Sequence, residues 1–255
     1  MIKRWSCRAC LAVMTMIFVL PGLGRAQTVP PEATEEAMKI LGAWVEKSKA
    51  DPSWFRHKWR LDDSETDFSQ AKLEKPYVLY LMHPSHFVDY LHSPESDIVS
   101  SAQLLDYGYP VVNEGEYIGS LLVDHNRGAD GKKIIEEKGE YMVAGRHMAN
   151  SKLDLRILEL RTQYTEEEGY VVCGLTTSVA GQFVLIRRAG RTEFIAPCDP
   201  FSAGVLSPVW ELGVVKDTKS GRYPVFPFDQ AVPSLREVAE EARVLLEPDS
   251  VKGRE

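Results

Sequence analysis

Long hydrophobic runs are scarce in this sequence. The apolar stretch over residues 9–20 has only twelve residues, whereas crossing a bilayer takes about 20. Positive residues precede this stretch, and Gly24-Arg25-Ala26 places small residues just before Gln27. This order is typical of a secretory signal peptide over residues 1–26. We therefore expect cleavage, a secreted or periplasmic location, and no stable membrane insertion of the mature chain.

Positive charge is also in short supply. The chain has 30 basic and 37 acidic residues, and four of the basic residues lie in the predicted signal peptide. The mature chain would keep 26 basic against 37 acidic residues, a net charge of about −11. Such a surface repels phosphate backbones, so we expect no nucleic-acid partner. It would instead attract cations or a basic partner.

Cysteines are few, and only Cys173 and Cys198 lie beyond the predicted signal peptide. An oxidising compartment favours a disulfide between them. In a plain meander of the three predicted strands, however, Cys173 faces Arg188, and Cys198 lies on the order of 20 Å away. A disulfide needs Cα atoms within about 7 Å. The bond can therefore form only if the segment over residues 197–200 folds back or the strands are not sequential neighbours in the sheet, and the sequence does not decide between a disulfide and two free thiols. Neither cysteine lies in a catalytic context.

Common enzyme motifs are missing. The chain has no Gly-x-Ser-x-Gly elbow, no Gly-x-Gly-x-x-Gly or Walker loop, and no His-Glu-x-x-His. These absences argue against the common hydrolase elbow, nucleotide binding and zincin-type metal sites. We accordingly expect no bound cofactor.

The spacing of apolar residues predicts an α+β fold, with antiparallel meander sheets and three or more amphipathic helices. Buried or alternating apolar runs predict strands, for example over residues 77–82, 170–178 and 182–189. Apolar residues at helical spacing predict helices over residues 34–50 and 151–165. Because strands come in groups between helices rather than alternating with them, a doubly wound fold is disfavoured. Ser234 and Glu237 form a capping box that predicts the start of the last helix.

The predicted domain organisation follows from these elements. We expect a flexible lead over residues 27–33, a single α+β domain over 34–247, and a disordered tail over 248–255. The order helix, strands, helix, strands, helix also suggests two similar halves, 34–146 and 149–246, although no residues repeat between them.

One histidine cluster is a candidate metal site. His83 follows a predicted strand, His86 and Asp89 are one helical turn apart, and His92 lies further along the same helix. Neutral imidazoles and a carboxylate are good zinc ligands. These four residues therefore suggest an alternative function, that of a zinc-dependent hydrolase. The competing interpretation is that they only form a surface-exposed helix start.

Two polar segments are weaker candidates. Asp124, Asn126 and Asp130 resemble the oxygen ligands of a calcium loop, but Ile135 stands where the closing glutamate should be, so we interpret the segment as a polar hairpin loop. Three arginines near a predicted turn form a small basic spot, which we interpret as solvated. They are Arg187, Arg188 and Arg191.

Six tyrosines lie on or beside predicted strands and could line a groove or a partner-facing sheet: Tyr77, Tyr80, Tyr107, Tyr109, Tyr117 and Tyr141. Tyrosines on strands more often pack half-buried. Because every enzyme motif is absent or incomplete, the leading hypothesis is an exported, non-catalytic binding domain for an unidentified protein or small molecule.

Overall fold

The structure is a computed structural model that describes residues 28–51, 53–54, 68–92, 97–126, 132–136, 138–148, 151–212 and 223–246. The predicted signal peptide and the predicted tail over residues 248–255 lie outside these ranges.

Helices lie between groups of strands along the chain, as the sequence predicts. The helices are α1 (Pro31–Ala50), α2 (Pro84–His92), α3 (Ile98–Ser101), α4 (Lys152–Gln163), α5 (Pro200–Val205) and α6 (Phe228–Leu246). The strands are β1 (Lys72–Leu73), β2 (Tyr77–Met82), β3 (Gln103–Asn113), β4 (Glu116–His125), β5 (Tyr141–Met148), β6 (Tyr170–Thr177), β7 (Gly181–Arg188), β8 (Arg191–Pro197) and β9 (Phe226–Pro227).

The nine strands that the structure describes all belong to one mixed sheet in the order β5-β4-β3-β2-β6-β7-β8-β9, with β1 paired to β3. Every pairing is antiparallel except that of β2 with β6, which are parallel. The predicted α+β class with a mainly antiparallel sheet is confirmed. The sheet runs without a break through both of the suggested halves.

The two faces of the sheet carry separate apolar clusters. One face packs against α1, α2 and α6, which contribute Leu41, Phe87 and Leu235 among others. The opposite face packs against α4, which contributes Leu153, Ile157 and Leu160. Helix α4 lies over β6 and β7.

Two helices begin earlier than the sequence indicates. Helix α1 starts at Pro31, so residues 31–33 of the predicted flexible lead are helical. A proline at the first helical position has a preset φ and lacks only an N–H that would be unpaired anyway. Helix α6 starts at Phe228, so Ser234 lies inside the helix and the predicted capping box does not form its start.

The structure does not show the disulfide that the sequence left open, because both cysteines are buried free thiols. Cys173 pairs with Leu185, and Leu185 with Ile195, so the predicted pairing of Cys173 with Arg188 is wrong. Cys198 lies three residues beyond Ile195, about 14 Å from Cys173 by strand geometry. The two side chains belong to different apolar clusters on opposite faces of the sheet. No local fold-back can bridge that separation.

Candidate functional site

The histidine cluster begins just before α2 and is spread along the exposed surface of that helix. The rings of His83 and His86 are 6.0 Å apart at nearly right angles, while His92 contacts Glu240 on α6. His86 and Asp89 line one open depression of about 340 Å³. Within the described ranges, no three His, Cys, Asp or Glu side chains are grouped so that they could hold a metal ion. The zinc-dependent hydrolase built on these four residues stays a prediction.

The candidate calcium loop is only partly described. Asp130 lies outside the described residues, but Asn126 is fully buried. Its amide donates to the carbonyls of Ile135 and Gly139 and accepts from the backbone N–H of Ile135. Asn126 therefore closes the loop as a structural residue, which agrees with the interpretation as a polar hairpin loop.

The predicted basic spot is divided among three environments. Arg187 is buried and forms a salt bridge with Asp97, in contrast to the solvated turn that we expected. Arg188 is exposed and lies 5.2 Å from the ring centre of Tyr170. Arg191 is exposed at the mouth of a groove described below.

Most of the strand tyrosines are core residues rather than groove residues. Tyr77, Tyr80, Tyr107, Tyr109 and Tyr141 are all at most 7% exposed. The sixth, Tyr117, is partly buried and participates in a polar network.

That network is centred on Asp154, which is fully buried in the first turn of α4. Its carboxylate accepts hydrogen bonds from the hydroxyls of Tyr77 and Tyr117, both at 2.5 Å. The same carboxylate lies 2.8 Å from Nδ1 of His147 on β5. Ser120 on β4 lies 3.3 Å from the Tyr117 hydroxyl. One carboxylate thus connects β2, β4, β5 and α4.

The network favours an ion pair between Asp154 and His147. Burial alone would raise the pKa of Asp154, but the hydrogen bond and charge of His147, with the two phenol donors, hold it below its ordinary value. Burial alone would lower the pKa of His147, but Asp154 raises it above the ordinary value. The start of a helix further favours a carboxylate at this position.

Two more carboxylates lie on the same face of the sheet. Tyr107 on β3 pairs with Val123 on β4 in antiparallel register, so Asp106, just before Tyr107, lies opposite Asp124, just after Val123. Burial, and next the charge of Asp124, raise the pKa of Asp106 to about 6, while His147 acts in the opposite direction. Perturbed carboxylates beside a histidine are a feature of functional sites as well as of structural networks.

Sequence reasoning missed this network because its members are far apart in the chain. Ser151 accepts from the Asp154 N–H at 3.4 Å, and a serine three residues before an acidic residue is a helix-start signal. That signal places Asp154 at a helix start but gives no indication of His147 or Tyr77. Only the sheet pairing brings these residues together.

A groove of about 720 Å³ lies between β8, β9, α2 and α6 on the other side of the molecule. Its walls are largely apolar, and the rings of Tyr90 and Phe228 are 6.5 Å apart. Phe194, Pro227 and Val232 complete these walls.

The polar end of the groove contains a buried salt bridge. Arg187 donates from Nε and Nη2 to Oδ2 of Asp97, at 3.1 and 2.7 Å. The other oxygen of Asp97 accepts the Thr192 N–H at 2.6 Å. The Thr192 hydroxyl oxygen is buried and has no hydrogen-bond partner in the described part of the chain.

The rim of the groove is charged. Arg191 and Asp229 are exposed and Glu193 is partly exposed, so acidic residues outnumber basic ones at the mouth. Because Arg187 already balances Asp97, the mouth favours a positively charged or neutral ligand over an anion.

Comparisons with known proteins give no relative for this chain. No family model, no curated protein and no solved structure matches it. Among the helices that the structure describes, none is both long and apolar enough to cross a membrane.

Proposed function

We propose that this is an exported binding protein and that the groove between β8, β9, α2 and α6 is its ligand site. The groove itself is the observation that carries the proposal. Its volume lies in the range of small-ligand sites, which are mostly apolar with a few convergent polar groups. The export expectation rests on the signal-peptide pattern of residues 1–26 and is part of the proposal.

The groove chemistry selects the class of ligand. The aromatic side chains of Tyr90, Phe194 and Phe228 fit an apolar or aromatic group. The acidic excess at the rim favours a positive charge. We therefore expect an apolar group that carries an amine or a guanidinium, on a small molecule or on a peptide.

A matched pair of fragments tests this proposal. 2-Phenylethylamine and 3-phenylpropanoate have similar sizes and opposite charges, and their binding can be followed by chemical-shift changes in the NMR spectrum of the isotope-labelled protein. We expect millimolar binding of the amine, with shifts at Thr192 and Phe194, and weaker binding of the carboxylate.

Filling the groove should abolish this binding. Val232 lines the groove, so Val232→Trp should weaken amine binding at least about tenfold, which corresponds to about 1.4 kcal/mol. Val244 lies on the same helix but is 62% exposed, so Val244→Trp is the matched control and should bind as the wild type does. Equal binding by both variants, or no shifts at groove residues with either fragment, would remove the basis for a ligand site here.

A further inference from the structure

His147 is held in the orientation of an acid–base group. Its Nδ1 lies 2.8 Å from the buried carboxylate of Asp154, which fixes the ring and places a proton on Nδ1. The side chain is 26% exposed, and Nε2 forms no hydrogen bond within the described residues. A carboxylate behind an imidazole in this way selects the tautomer whose lone pair is on Nε2 and stabilises the imidazolium once it forms.

The sheet leaves room beside this imidazole. His147 lies opposite Ser120 on β4, and two residues away Gly145 lies opposite Leu122. A Cβ built on Gly145 would have only one heavy atom within 4 Å, Leu122 Cδ1 at 3.6 Å. The surface at Gly145 is therefore open beside Leu122, and this open position next to His147 is here named the Gly145 shelf.

The charges around the shelf restrict what can occupy it. Asp154 from α4, Asp106 from β3 and Asp124 from β4 are all acidic, while Tyr77 and Tyr117 both donate their hydroxyl protons to Asp154. These surroundings, together with the negative net charge of the chain, disfavour phosphates and carboxylates as substrates. A neutral molecule is the class that fits.

We propose that His147 and Asp154 form a second, hydrolytic site that cleaves neutral carboxylic esters held on the Gly145 shelf. His147 Nε2 takes a proton from water while the water oxygen forms a bond to the ester carbonyl carbon. The bond from that carbon to the alcohol oxygen then breaks, and the proton passes from Nε2 to the departing alkoxide. One ester and one water give one carboxylic acid and one alcohol. His147 is the catalytic residue and Asp154 a positioning residue. This activity goes beyond the proposed binding function and is independent of the groove.

The test uses the mature chain, residues 27–255, and p-nitrophenyl acetate. General-base catalysis by a positioned side chain is typically worth 10²–10⁴-fold. We therefore expect hydrolysis at least about tenfold faster than with the same concentration of free imidazole, and a return to that background in His147→Gln. His125 lies on the opposite face against Tyr141, so His125→Gln is the matched control and should keep the wild-type rate. A wild-type rate no faster than imidazole, or full activity in His147→Gln, overturns the proposal.

The pH profile separates a positioned base from a merely structural histidine. The rate should rise as His147 loses its proton, above the ordinary histidine pKa of about 6.5, because Asp154 raises the pKa of His147. In Asp154→Asn the increase of the hydrolysis rate with pH should occur at lower pH, and the maximal rate should fall. In Gly145→Val, which fills the shelf, the rate should fall while the NMR titration of His147 stays unchanged. An unshifted profile in Asp154→Asn, or a Gly145→Val variant as active as wild type, also overturns the proposal.

Discussion

The sequence alone could not identify which side chains form the polar network, because residues of the same types occur at many other positions. Asp106 is one acidic residue among 37, and nothing local distinguishes it. The structure does so by placing it opposite Asp124 in a partly buried position. Like charges directly across two strands destabilise a sheet, so this pair has an energetic cost at neutral pH.

Replacing Asp106 with Asn should stabilise the protein at pH 8 and have little effect at pH 4. The folded-state pKa of Asp106 is about 6, above its ordinary value of 3.8, so ionisation removes stability as the pH rises through this interval. Above pH 7 Asp106 is ionised in the folded protein, and the full reduction in the free energy of unfolding is present. A shift of two pH units corresponds to about 2.7 kcal/mol, and solvent screening reduces this to about 1 kcal/mol.

Urea unfolding midpoints of Asp106→Asn and wild type at pH 4, 6 and 8 measure this effect. Glu116 is exposed at the start of β4, and Glu116→Gln serves as a control whose difference from wild type should not vary in the same way. An Asp106→Asn gain that is the same at all three pH values would show that the carboxylate charge is not its source.

At the scale of elements, sequence patterns located strands and helices well but misplaced several ends. The three strands between residues 170 and 197 follow directly from β-rich runs and turn residues. The start of α6 was missed because Phe228 and Ala231 pack against the core, which extends the helix ahead of the capping box at Ser234. Tertiary packing here overrides a local capping preference.

The pairing of β2 with β3 shows how one glycine positions the polar network. Gly108 lies opposite Tyr77, and a Cβ on Gly108 would meet the Tyr77 ring at 2.1 Å. The ring can therefore lie across the neighbouring strand and reach Asp154 only because position 108 has no side chain.

Gly108→Ala should destabilise the fold by about 1–3 kcal/mol, because the new methyl group overpacks the site and displaces Tyr77 from Asp154. Gly42→Ala is the matched control. Gly42 is exposed within α1, and an added methyl group would have no heavy atom within 4 Å, so alanine should stabilise the helix by about 1 kcal/mol. Chemical denaturation of both variants measures the free energy of unfolding, which should fall in Gly108→Ala and rise in Gly42→Ala. Equal stability of Gly108→Ala and wild type would show that the Tyr77 ring does not depend on this space.

At the scale of the whole molecule, the fold class followed from the order of elements, but the arrangement of the sheet did not. The parallel pairing of β2 with β6 joins the strands that precede and follow the β3-β4-β5 group. Such a long-range pairing leaves no local trace in sequence, since β2 and β6 are separated by more than 80 residues. Without it, the convergence of Tyr77 with Asp154 could not be predicted.

The separation of the two cysteines leads to a prediction about the chain from residue 27 onward. Cys173 and Cys198 are buried on opposite faces of a continuous sheet, and burial raises the pKa of both thiols, so few thiolates are available to react. Native protein treated with oxidised glutathione should keep its mass, and unfolding in urea should then expose two thiols to iodoacetamide. A reducing agent should leave the melting temperature unchanged. A mass two units lower with no thiol labelled in urea would mean that the cysteines are bonded, and that the register of β6, β7 and β8 is different from the one described.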